Sequence, residues 1–235
     1  MCGRYFRRSD KQRIAEAFHL GVLPDGFVLP SADYNVAPTT FQPVIRADKE
    51  TGERELVTMR WGMVPYFAKS AVDFKGFSTI NAKAETLMGK PMWRGPFRRH
   101  RCLVPADGFY EWKTLDARTK QPYAFAMRSG VPFAFGRIWD AWKEPDGGWL
   151  QTFAIITTYP NELTATVHNR MPVILKPSDY DRWLTRDDPE RPPTDLLRPY
   201  AAGEMKAFPV DPHVSSVRNN EPGLCEAYEC PLNSA

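Results

Sequence analysis

Cysteine at position 2, behind a single methionine, has the widest chemistry open to it of any residue in this chain. Initiator methionine is generally removed when the next residue is small. Removal would leave Cys2 with a free α-amine and a thiol on adjacent carbons. Such a 1,2-aminothiol condenses with an aldehyde to a Schiff base, and the thiol then closes a five-membered thiazolidine ring. An α-amine of pKa about 7.7–8.0 and a thiol near 8.5 are both partly nucleophilic at neutral pH. The competing reading is an ordinary thiol behind a retained methionine.

Three further polar residues stand in apolar settings. Glu111 lies within G-F-Y-E-W-K, where strand alternation either points it inward among aromatic rings or turns it to solvent. An inward carboxyl has a raised pKa and suits general acid/base work. His168, followed by Asn169 and Arg170, heads a loop-to-strand junction; it titrates near neutrality, although a lone loop histidine is more often structural. Asn81, after F-S-T-I, orients a reacting group through its amide or caps a turn. A second set of residues suits a polyanion. Arg94, Arg98, Arg99 and Arg101 are interleaved with Trp93 and Phe97, and Trp61, Met63 and Phe67 lie in an aromatic-rich segment. Arginines neutralise phosphates while exposed aromatics stack on bases; core packing and a solvated basic face are the alternatives.

The elements that must position these residues are mostly strands. Ser9 and Gln12 read as a capping box for a short helix carrying Ile14 and Phe18, with Gly21 as its stop and His19 near its end. Residues 41–47 and 53–61 flank a hairpin signal at 48–52, residues 77–80 form a short strand, and residues 102–113 read as strand, tight turn, strand. Residues 122–128 and 132–139 suggest a hairpin about Ser129-Gly130, and residues 149–158 a longer strand. Ser178 and Thr194 open short helices, residues 205–210 and 214–217 supply late strands, and the chain after Asn219 reads as a loosely packed tail. Strands outnumber helices without the alternation that βαβ units require. The expected fold is α+β, a mostly antiparallel, barrel-like sheet core with peripheral short helices, in one domain over residues 1–235.

Composition narrows the function classes. At 235 residues the chain is long enough to bury a full core, and 7 Trp, 9 Tyr, 14 Phe and 22 Pro favour short strands and structured loops. A net charge of +3 is too small to demand a polyanion partner. Cys2, Cys102, Cys225 and Cys230 form no C-x-x-C pair, and no histidine falls at zinc-ligand spacing. Neither a disulfide framework nor a metal centre is expected. The start is not that of a secretory leader, and no apolar run approaches the ~18 residues of a membrane span. The expectation is a monomer of a reducing compartment, the cytoplasm.

Six segments in order, M-C-G-R-Y, Y-N-V-A-P, W-G-M-V-P, I-N-A-K-A-E-T, R-C-L-V-P-A-D-G-F-Y-E-W and H-N-R-M-P-V-I-L, resemble the SRAP family of SOS-response-associated peptidases. The resemblance runs from Cys2 to about Leu175, with a weaker match at residues 213–219. It implies recognition of abasic sites in single-stranded DNA and a covalent, thiazolidine-type DNA–protein crosslink that shields the lesion, with nucleoid association when bound. It implies Cys2 as nucleophile, Asn81 as the residue that positions cysteine and sugar, Glu111 as acid/base in sugar ring opening, and His168 as a general acid that also supports reversal. Arg4 and Arg170 fall on phosphate-contacting positions, and Pro38, Trp61 and Met63 in loops lining the DNA groove. No cofactor is implied, and self-processing of Met1 accounts for the word peptidase. Two other functions stay open: an N-terminal-nucleophile thiol amidohydrolase, and a non-catalytic reader of damaged DNA.

One position departs from the family pattern. Lys83 stands where arginine is common, keeping the charge but losing the planar two-pronged donor. Activity should therefore be retained with weaker or less oriented DNA binding. Lys83→Arg is expected to tighten binding to abasic single-stranded DNA a few-fold in a direct titration; equal affinities would remove the guanidinium geometry from consideration.

Overall fold

The computed structural model describes residues 2–21, 27–70, 79–186 and 188–228. Along the chain come β1 (Arg4–Arg7), α1 (Lys11–Ala17), β2 (Asp33–Val36), β3 (Phe41–Ala47), β4 (Arg54–Trp61) and β5 (Asn81–Lys83). Then follow α2 (Pro91–Arg99), β6 (Arg101–Ala106), β7 (Gly108–Thr114), β8 (Lys120–Met127), β9 (Phe133–Lys143) and β10 (Trp149–Thr158). The last third holds α3 (Glu162–Ala165), β11 (Met171–Pro172), β12 (Ile174–Leu175), α4 (Tyr180–Leu184) and β13 (Met205–Pro209).

Two sheets result. One runs β13-β8-β7-β1-β2; the other runs β11-β10-β4-β3-β6-β9-β12, and pairing of β9 with β10 closes β10, β4, β3, β6 and β9 into a ring. Most pairings are antiparallel, with β10 parallel to both β4 and β5. The architecture is the α+β barrel-like one expected from the strand count.

Period-two alternation explains how the layers face each other. On β9, Phe133, Phe135 and Trp139 join the apolar cluster that also takes Tyr5, Phe109 and Phe125 from the first sheet. The intervening Ala134 and Ile138 face a second cluster, roofed by Ile14 and Phe18 of α1, Trp93 and Phe97 of α2, and Trp183 of α4. The outer face of the first sheet (Phe6, Tyr110, Ala124) is covered by Val210, Val214, Leu224 and Cys225.

Several local expectations are corrected. The helix cap is Asp10, whose carboxylate accepts from the Arg13 N–H at 2.8 Å. Ser9 instead binds Asp107, Oγ to Oδ1 at 2.6 Å, because that carboxylate sits where the chain passes from β6 to β7. His19, at φ 48, takes the left-handed position after α1. Ser129-Gly130 is not the turn of a hairpin: β8 pairs with β7 and β13, β9 with β6, β10 and β12, so the chain changes sheets there. Residues 212–215 form a 3-10 turn rather than a strand. The expected strand at residues 77–80 lies partly outside the described residues. Of the tail expected to be loose, Leu224 and Cys225 are buried against the first sheet, because an uncovered Phe6–Tyr110 face needs an apolar lid.

The basic run at residues 93–101 is also placed differently from a DNA-stacking surface. It forms α2 and its exit, with Trp93 and Phe97 in the core and Arg101 buried. Arg101 Nη1 donates to the carbonyls of Phe97 and Arg98, both at 2.8 Å, closing the helix C-terminus. Arg94 and Arg99 alone of these arginines are exposed.

The passage from β6 to β7 carries a tight steric demand. A Cβ on Gly108 would run into the Phe6 ring and lie 2.6 Å from the Phe125 carbonyl oxygen. Gly108→Ala is expected to cost at least the about 1–3 kcal/mol typical of overpacked cores, since one obstacle is backbone. A thermal melt within a degree of the parent would show that β1 and β8 part easily.

Candidate active site around Cys2

Cys2 has no exposed surface and packs within the cluster between the two sheets. It is held there by the strand that follows it. β1 lies between β2 and β7, with Arg4 opposite Tyr110 and Tyr5 opposite Phe109. Continued one step, that register sets Glu111 across from Gly3, beside Cys2. Glu111 shares the inward face of β7 with Phe109 and is 3% exposed, so the inward alternative holds.

Asn81 arrives from the opposite sheet. β4 leaves the edge of β10 at Gly62, whose φ of 113 suits glycine alone. The chain rejoins the same edge at Ile80, with Asn81 opposite Ile155. Asn81 Nδ2 then donates to the Cys2 carbonyl at 3.0 Å. Its Oδ1 is buried and accepts nothing from the described residues, which leaves one acceptor pointed into the site. Lys83, two residues on along β5, is exposed.

His168 follows α3, whose start is fixed by a reciprocal capping box between Asn161 and Thr164. Its flanking residues Val167 and Met171 pack on the cluster that holds Cys2. His168 Nδ1 lies 3.1 Å from the Arg170 N–H and 3.3 Å from the Arg170 carbonyl oxygen; in the neutral ring it accepts from the first with the proton on Nε2 or donates to the second with the proton on Nδ1. Burial pushes the His168 pKa below its usual value, so the ring is neutral at pH 7.

Electrostatics around the sulfur pull in two directions. Burial, reinforced by the Glu111 charge, pushes the Cys2 thiol up to about 12, while Arg137 opposes. Burial lifts the Glu111 carboxyl to about 7. The thiol is therefore protonated at neutral pH and the carboxyl is poised to give or take a proton.

The two arginines of the resemblance are both engaged. Arg4 donates to Asn35 Oδ1 at 2.6 Å and to the carbonyls of Val214 and Ser215. Asn35, the asparagine of Y-N-V-A-P, spends its amide on the carbonyls of Val214, Ser216 and Asn219. Arg170 grips Glu85 with both Nη atoms at 2.6 and 3.0 Å and also reaches the Thr157 carbonyl. Pro38 is half-buried. Trp61 and Met63 are corrected: both are buried, and Trp61 Nε1 donates to the Ile80 carbonyl at 3.0 Å. They brace the segment that delivers Asn81 rather than offering a stacking face. Tyr66 and Phe67, in edge contact at 5.3 Å, are the exposed aromatics of that segment.

Arg137 escaped the reading of the sequence. It occupies an inward position of β9 with no exposed surface. Its guanidinium lies 5.1 Å from the ring centre of Tyr5, 5.3 Å from Trp61 and 4.8 Å from each of Phe135 and Phe153. None of its three nitrogens has a hydrogen-bond partner among the described residues. Desolvating a cation costs several kcal/mol, and desolvated ring contacts return up to about 2 each. Four rings offset the cost roughly, without a carboxylate. The signal was available: F-A-F-G-R-I-W puts arginine in step with two phenylalanines and a tryptophan.

The unfolded chain releases the Glu111 proton near 4.5, the folded chain near 7. This group's contribution to stability is complete below pH 4.5 and is lost as pH rises through about 7. The difference is on the order of 3 kcal/mol at most. Glu111→Gln should flatten that trend, unfolding at a higher temperature than the parent above pH 7 and converging with it in acid. Parallel pH trends in both proteins would count against a buried carboxyl.

Comparison with known proteins shows the family. The family model described as SOS response associated peptidase (SRAP) matches residues 1–217. Abasic site processing protein YoqW of Bacillus subtilis is 42% identical over 231 residues, spanning 97% of this chain and 100% of its own. Abasic site processing protein HMCES of Gallus gallus is 34% identical over 229 residues, spanning 85% of this chain and 67% of its own. A crystal structure of a protein from Bacteroides thetaiotaomicron superposes with a TM-score of 0.84 at 25% identity, covering 97% of this chain and 100% of that one. Ordered motifs, fold and relatives converge, and the chain belongs to the SRAP family.

Proposed function

We propose that this chain, once Met1 is removed, captures abasic sites in single-stranded DNA as a covalent adduct of Cys2. The observation that carries the reading is the meeting of three groups from distant parts of the chain: a buried thiol, an asparagine holding its carbonyl, and a carboxyl whose pKa lies near 7. Names of relatives on both sides of the bacterial–animal divide point to the same substrate.

The order of steps follows from the protonation states. A thiol pushed up to about 12 is a poor first nucleophile, so the α-amine of Cys2 attacks first. An abasic sugar is mostly a closed hemiacetal; Glu111 takes the hydroxyl proton as the ring opens and exposes the aldehyde. The amine adds to that carbon, Glu111 returns its proton to the carbinolamine hydroxyl, and water leaves, giving the protonated Schiff base and a Glu111 carboxylate. The Cys2 sulfur then adds to the same carbon, its proton passing to the Glu111 carboxylate, and the thiazolidine ring closes. Asn81 fixes Cys2 and offers Oδ1 to a sugar hydroxyl, and the neutral His168 ring offers a hydrogen bond to the departing ring oxygen, which takes its proton from water, with the reverse in reversal. Lys83 is exposed for a phosphate, Arg4 and Arg170 would exchange present partners for phosphate oxygens, and Tyr66 and Phe67 offer ring faces to flanking bases. The same groups would serve in self-removal of Met1. A thioester-forming hydrolase requires a ready thiolate, which the burial of Cys2 disfavours. Among the described residues no helix is long and apolar enough to cross a membrane, in keeping with a cytoplasmic, DNA-associated role.

Intact mass after incubation with single-stranded DNA bearing one abasic site is the direct test. Trimmed wild type should give a heat-stable adduct at the summed mass less one water, and Cys2→Ala should give none. Borohydride should trap an early Schiff base. An adduct that survives in Cys2→Ala, or none from correctly trimmed wild type, would discard the mechanism.

A further inference from the structure

Buried cations in proteins are as a rule paired, and Arg137 is not. Neither a carboxylate nor a carbonyl of the described residues touches its guanidinium, and among the described residues no ion pair includes it. Such a charge is retained where a transient anion needs it, since local rules are broken chiefly at functional sites. Its cage identifies which anion. Tyr5 lies on the strand that follows Cys2, Trp61 holds the carbonyl next to Asn81, and Phe135 and Phe153 line the same cluster as the Cys2 side chain.

We propose that Arg137 is a positioning residue of this site: its caged guanidinium is the fixed countercharge for the sulfur anion that Cys2 develops during ring closure. The inference deepens the crosslinking mechanism and rests on it for the identity of the step. In that step the sulfur lone pair forms the bond to the iminium carbon, the carbon–nitrogen π pair returns to nitrogen, and the thiol proton goes to Glu111. The charged and titratable groups around the sulfur are Glu111 from β7, Arg137 from β9 and the terminal amine of the chain, which also favours the anion; those around the guanidinium are Tyr5 from β1, Cys2, and Cys102 from β6. Glu111 disfavours the sulfur anion and Arg137 favours it. Proton transfer to Glu111 removes the opposing charge, leaving Arg137 alone against the sulfur. Cys102, directly across from Arg137 in the sheet, is the rival counter-ion.

Arg137→Met, which removes the charge at similar length, and Arg137→Lys, which keeps a charge but loses the plane that stacks on four rings, test this in the full chain. The first readout needs no DNA: the rate of Cys2 alkylation by iodoacetamide against pH, followed by mass. The midpoint is expected to rise in the order parent, Lys, Met, by about one pH unit for Met, a tenfold slower reaction at fixed pH; Cys102→Ala should leave it unmoved. The second readout is the partition of the DNA adduct. Arg137→Met should accumulate borohydride-trappable Schiff base while ring closure slows about tenfold. An alkylation profile identical to the parent in a folded variant overturns the proposal, and if Arg137→Met does not fold, the Lys variant decides alone. A midpoint that moves in Cys102→Ala assigns the countercharge to Cys102 and overturns it as well. Should the parent fail to crosslink yet show these shifts, the crosslinking mechanism falls while the tuning of Cys2 stands.

Discussion

Everything at this site depends on the first strand being an interior strand. β1 is four residues long and has a neighbour on each side, so its backbone is fully committed to two ladders. A chain end is ordinarily the least ordered part of a domain. Here pairing on both edges, with Tyr5 inside and Phe6 outside, fixes the residue just before the strand within the protein interior. Terminal chemistry and core packing thus become one problem. The side chains around Cys2 are answerable to both, which is why an asparagine, a carboxyl and a guanidinium are found among so many rings.

The interior also sets the order of reactivity. Burial holds the thiol protonated and the carboxyl half-ionised near neutrality, so in the proposed mechanism sulfur chemistry waits on carbonyl chemistry. Reactivity withheld until the correct partner is bound would suit the covalent capture proposed above. The contrast with a hydrolytic cysteine, which is kept as a thiolate by a charged neighbour, lies in the local dielectric rather than in the residue.

Much of this could be read from residue order. The 41–47 and 149–158 strands fall where the alternation puts them, and Glu111 is inward because Phe109 is. What could not be read was which strand pairs with which. The turn at Ser129-Gly130 has hairpin chemistry, but tertiary pairing sends its two arms to different sheets. The arginine run beside Trp93 and Phe97 has the composition of a DNA surface; helical periodicity within α2 decides instead that the rings go in and Arg94 and Arg99 go out. Trp61 and Met63 were misplaced for the related reason that an aromatic-rich segment looks the same whether it lines a groove or braces a strand. Arg137 was legible and was passed over, because an arginine in a strand is ordinarily taken for an outward residue.

The strand β10 accepts two successive partners on one edge. The Gly62 N–H donates to the Phe153 carbonyl and the Ile155 N–H to the Ile80 carbonyl, each at 2.9 Å. The stretch between them is therefore stapled at both ends to the same rigid rail, two residues apart. Its length is free to change without altering the register of Asn81, since the entropy of closing a longer loop grows only slowly. The fold thereby separates what must stay constant from what can diversify. The residue that holds the Cys2 carbonyl is set by the rail, and the segment carrying Tyr66 and Phe67 can be lengthened, shortened or recomposed without moving it.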